Sequence, residues 1–162
     1  MRWTSVLCVM AVSLWPTTIA GIQAPAANTL PAALRSHVTQ DRFDVVTSVR
    51  GLPLGVRDAL QALFGRDVLD IAEPSAAFRV TDVVIDPKLP TRRLSQAACS
   101  IDHCIVYYER GGIAHTWQVA IFHWTPAATR FEWGGSAPGG LRTIDDLRKA
   151  VLSGAIRASS SW

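Results

Sequence analysis

This sequence predicts an α+β domain, an antiparallel β-meander of four to five strands packed by two helices, with one disulfide-stapled hairpin. Three observations predict it. Short β-rich runs follow one another between residues 93 and 133 with only brief turn signals between them, and connections that short join antiparallel neighbours. Two amphipathic helical stripes flank those runs, one near 54–64 and one near 143–153. Two cysteines, Cys99 and Cys104, bracket the four residues Ser-Ile-Asp-His in the middle of the meander.

The chain opens with MRWTSVLCVMAVSLWPTTIA, a basic residue, an apolar run and small residues, which is the layout of a secretory signal peptide cleaved after Ala20. The apolar run is about half of what a bilayer requires, so no stable membrane insertion is expected after cleavage. Residues 21–36, rich in Ala and Pro, read as a flexible leader, and residues 37–162 as a single α+β domain. The expected location is periplasmic or extracellular.

Within the domain, Phe43 to Val49 is β-branched and reads as a strand ended by Gly51 and Pro53. Val56, Leu60, Leu63 and Phe64 then recur at helical spacing, with Gly65 as the stop. Further strands are predicted over Phe78 to Ile85, Arg93 to Cys99, Cys104 to Arg110, Ala114 to Trp124 and Arg130 to Trp133. The segment GGSAPGG, residues 134 to 140, reads as a flexible connection. In the last helix Thr143 with Asp146 resembles a capping box, Ile144, Leu147 and Val151 form the buried stripe, and Gly154 ends it. The tail RASSSW is expected to fray.

Sixteen basic residues stand against 13 acidic ones, and removing the signal takes away Arg2, leaving 15 against 13, a net charge of +2. That balance argues against nucleic acid as a partner. The one adjacent arginine pair, Arg92–Arg93, reads as a solvated strand end.

A two-residue turn at Gly111-Gly112 would pair Glu109 with Ala114 and Tyr108 with His115. In that register His115 and His123 share a face at about 26 Å, and His103 lies on the other face, so no metal site is expected. No cofactor is expected either. Once Cys8 has left with the signal, Cys99 and Cys104 are the two remaining cysteines, and an oxidising compartment makes them a disulfide contributing about 2 kcal/mol.

The same register lines up Tyr107, Phe122 and Trp124 on one face beside polar neighbours, a surface suited to a glycan or a protein partner. The leading functional expectation is therefore a non-enzymatic binding or accessory module of the cell envelope. The alternative is a small envelope hydrolase using Glu109 with His103 or Glu132 as acid and base.

Overall fold

In the computed structural model, which describes residues 28–159 and 161–162, five antiparallel strands stand side by side in sequence order. They are β1 (Asp44–Val45), β2 (Arg92–Cys99), β3 (His103–Arg110), β4 (Thr116–Trp124) and β5 (Thr129–Ala137). Helices α1 (Ala32–Gln40), α2 (Leu54–Phe64) and α3 (Ile144–Leu152) complete the architecture, which is α+β as expected. The expected signal peptide lies outside the described residues.

Both faces of the sheet are covered, because successive strand residues point to opposite sides and both sets are apolar. Cys104, Val106, Tyr108, Ala120 and Phe122 pack against Val56, Leu60 and Phe64 of α2. On the other side Ile105, Tyr107, Val119, Ile121 and Trp133 pack against Leu34 and Val38 of α1 and Leu147 and Val151 of α3. Gly65 closes α2 with φ of 60°, and the Thr143 hydroxyl accepts from the Asp146 amide at the start of α3.

Several boundaries differ from expectation. Order begins before His37, since α1 starts at Ala32 and buries Leu34 and Val38, with Leu30 buried just ahead of it. These three leucine and valine positions recur every four residues, a helical stripe hidden among alanines and prolines. The strand at 43–49 shrinks to Asp44–Val45, paired with Cys99 and Ala98. No strand forms over 78–85. That segment runs outside the main ladder, bridged to it only where Thr81 meets Gly112, and its valines and isoleucine are exposed. The tail is folded back: Arg157 pairs with Ser136, and the Trp162 ring meets Phe131 at 5.1 Å.

Glycines 134 and 135 belong to β5 rather than to a flexible connection. A side chain at Gly134 would collide with the Val119 carbonyl oxygen, and one at Gly135 with that of Arg157. Their role is close backbone approach.

The β3–β4 register is the most consequential correction. His103 pairs with His123, Tyr107 with Val119 and Glu109 with Trp117, and the connection is the longer loop from Gly111 to His115. The Gly pair is engaged elsewhere: the Gly111 amide donates to Thr91, that of Gly112 to Val80, and the Gly111 α-carbon packs on the Arg79 carbonyl. The pairing differs from the two-residue turn by an odd number of positions, which turns every β4 side chain to the opposite face.

Candidate functional site

The corrected register gathers three histidines at one end of the sheet. His103 opens β3 and His123 lies directly across from it on β4, their rings 5.3 Å apart. The third, His37, comes from the last turn of α1, and its ring stacks on His103 at 4.1 Å. Asp41 follows His37 at i+4, so both project from one helix face, and His37 Nδ1 lies 3.0 Å from its carboxylate. Asp102, on the tight turn before β3, accepts from His103 Nδ1 at 2.7 Å.

That turn is held rigidly. The predicted disulfide is present, joining Cys99 to Cys104, which face each other in register across β2 and β3. Inside the loop the Ser100 hydroxyl accepts from the His103 amide at 3.0 Å and lies 3.4 Å from both Asp41 and Asp102. His103 is 3 % exposed, whereas the side chains of His37, Asp41 and Asp102 remain partly open to solvent.

Glu132 completes the cluster through a β-bulge. Ile121 pairs with Trp133 and Phe122 with Phe131, which leaves Glu132 as an extra residue in β5. A bulge re-aims the side chain it carries. Here Glu132 Oε2 comes within 3.3 Å of His103 Nε2, while Arg130 holds its other oxygen at 2.6 Å.

Desolvation opposes ionisation of Asp102. The hydrogen bond from His103 and the nearby His103, His37 and His123 rings outweigh it, and the carboxyl titrates below its ordinary range. The arrangement as a whole is two imidazole–carboxylate pairs stacked on one another. The ligand-type atoms of His37, Asp41, Asp102 and His103 all lie within 4.8 Å of one another.

Glu109 takes no part in it. Six residues along β3 from His103, about 20 Å at strand rise, its carboxylate accepts from both Nε and Nη2 of Arg93, at 3.0 and 2.8 Å. His115 lies 3.0 Å from its other oxygen. A second bulge adds Ser95, whose hydroxyl lies 3.3 Å from Glu109. The expected partnership of Glu109 with His103 or Glu132 is therefore corrected: those two meet each other, and Glu109 is held in an ion pair.

The aromatic trio is also separated. Tyr107 points to the α1/α3 side and Phe122 to the α2 side, both buried, and Trp124 is partly buried against the α2 core. They present no common surface. Arg92, expected in solvent, is buried beneath the Phe64 ring and paired with Asp70 at 2.7 Å.

The surface does carry an apolar feature of another kind. Val83, Val84 and Ile85 are exposed in sequence, Ile85 to 91 %, and the Thr81–Gly112 bridge brings in Ile113, exposed to 95 %.

Of the site residues, His103 and Glu132 were legible as candidates in the sequence; His37, Asp41 and Asp102 were not. The signal for the first two is the spacing His37-x-x-x-Asp41, which on a helix brings an imidazole and a carboxylate together. Among the described residues no helix is long and apolar enough to cross a membrane. No protein-family model, no curated protein and no solved structure matches this chain, so the chemistry of the site rests on its geometry.

Proposed function

We propose that this protein is an exported, non-enzymatic binding module whose partner is another protein. The observation that carries this reading is the run Val83, Val84, Ile85, three large apolar side chains left in water in succession, with a fourth, Ile113, exposed next to Gly112, which bridges Thr81 two residues before Val83. Large apolar side chains left exposed in succession on a small domain point to a protein contact. The rings that the sequence lined up for a glycan are not available to one, since Tyr107 and Phe122 are buried. The Cys99–Cys104 disulfide fits an oxidising compartment, in keeping with the expected export.

The test is affinity capture from a native cell-envelope extract with wild-type protein and a Val84→Asp/Ile85→Asp variant. A partner retained by wild type and lost by the variant, whose melting curve is unchanged, supports the reading. Equal capture by both removes this surface.

One contact favours a second reading. The pairing of His103 Nε2 with Glu132 Oε2 places an imidazole and a carboxylate together, as a small hydrolase requires. Turnover that disappears in Glu132→Gln would establish it, and Glu109 would have no place in that mechanism.

A further inference from the structure

We propose that His37, Asp41, Asp102 and His103 form a binding site for a divalent transition-metal ion of the zinc or cobalt type. A tetrahedral ion with bonds near 2.1 Å needs its ligand atoms about 3.4 Å apart, and the four groups already lie within 4.8 Å of one another. Small rotations of the half-buried Asp41 and Asp102 carboxylates would close the difference. Two imidazoles and two carboxylates suit zinc and its neighbours better than calcium or magnesium, which take oxygen ligands. The two cysteines beside the site are joined in a disulfide, so no thiolate competes for a softer ion.

Charge favours the same assignment. Asp41, Asp102 and Glu132 bring three negative charges to the cluster, and among the described residues Arg130 is the one guanidinium paired with any of them, so with neutral imidazoles these four charged groups sum to −2. Asp41 also caps the C-terminal end of α1, where the helix dipole disfavours a carboxylate. Arg148 offsets part of that cost by donating to the Val38 and Thr39 carbonyls from α3. A divalent cation would offset the rest.

The support behind the ligands is already built. An ion held by His103 Nδ1 leaves Nε2 facing Glu132, the carboxylate–histidine–metal arrangement that fixes the tautomer and raises ligand basicity. Glu132 reaches that position because β5 bulges there, and Ser100 bridges Asp41 and Asp102. The disulfide pins the loop that carries Asp102 and His103.

The test uses untagged, oxidised full-length protein, first treated with a chelator and then titrated with Zn(II) and with Co(II). Expected are one equivalent bound, visible d–d absorption from four-coordinate Co(II), and a thermal midpoint that rises with Zn(II) and falls back with chelator. His37→Ala and Asp102→Asn weaken binding at least tenfold, and Glu132→Gln weakens it about tenfold or more without changing stoichiometry. His115→Ala, at the far end of the sheet, binds as wild type. Because His103 is buried, the decisive variant is His37→Ala, whose side chain is 39 % exposed and whose loss spares the core. Absence of saturable binding by either metal, or equal affinity in wild type and His37→Ala, overturns the site.

Discussion

The two ends of strand β3 are built from the same parts and behave as different objects. At each end an imidazole lies against a carboxylate, and at each end a β-bulge delivers one more polar residue, Glu132 from β5, two strands away, at the first and Ser95 from the adjacent β2 at the second. The difference is the charge around them. Glu109 is saturated by Arg93, which also lies 4.5 Å from the Phe78 ring centroid, so that end is a closed ion pair. At His103 the carboxylates outnumber the cations, and three of the side chains stay open to water. Residue type alone does not make a site. What makes one is the surplus of charge that the neighbours leave uncompensated.

The strongest way to break this comparison is to remove one arginine from each end. Arg93→Ala leaves Glu109, only 13 % exposed, without its guanidinium and with His115 and Ser95 alone beside it, and is expected to cost about 3 kcal/mol, read from urea unfolding. Arg130 is 65 % exposed, and Arg130→Ala should cost under about 1 kcal/mol in the same assay. Equal costs would mean that the two ends do not differ in the way described.

The disulfide sharpens the contrast, because it braces one end only. Replacing Cys99 and Cys104 by serine should cost about 2 kcal/mol. Hydrogen exchange should rise at amides 100–103 and stay unchanged at 109–116.

Between the two ends lie Tyr107 and Tyr108, pointing to opposite faces. Burial pushes the Tyr107 phenol up to about 12 and raises that of Tyr108 as well. Both phenols therefore stay protonated in the fold at pH values where the unfolded chain ionises them, above about 10. Their contribution is fully present below that pH and is lost as pH rises through the folded-state values. The loss is about 1.4 kcal/mol per pH unit for each tyrosine. Urea midpoints measured from pH 9 to 12 check it, and a flat profile would contradict the burial of these rings.

At neutral pH the same pair should show the smallest difference. Tyr107 donates to the Pro138 carbonyl at 2.7 Å, and Tyr107→Phe is expected to cost about 1 kcal/mol. The Tyr108 hydroxyl is buried and finds no hydrogen-bond partner among the described residues, so Tyr108→Phe should be neutral or slightly stabilising.

Much of the architecture was readable from periodicity. The α2 stripe, the Thr143 cap, the order of the strands and the cysteine pair are local patterns, and local patterns survive into the fold. The β3–β4 register was not readable in that way. It depends on where Gly111 and Gly112 find partners, and those are Thr91 and Val80, 20 or more residues upstream. That single non-local choice split Tyr107 from Phe122 and Trp124 and brought His103 opposite His123. Neither bulge is written in local sequence, so the aim of Glu132 at His103 could not be foreseen. His37 and Asp41 were hidden differently, on a helix whose start lies in alanine- and proline-rich sequence.

The bulge at Glu132 also has a bearing on solubility. β5 is the last strand of the sheet, and an unprotected outer strand invites chains to add to one another edge to edge. Here the irregular step at Glu132 spoils the repeat at one position, and Arg157, exchanging both backbone hydrogen bonds with Ser136, occupies another. The residue that steadies His103 thus stands in the irregular step that keeps this margin of the sheet from templating aggregation.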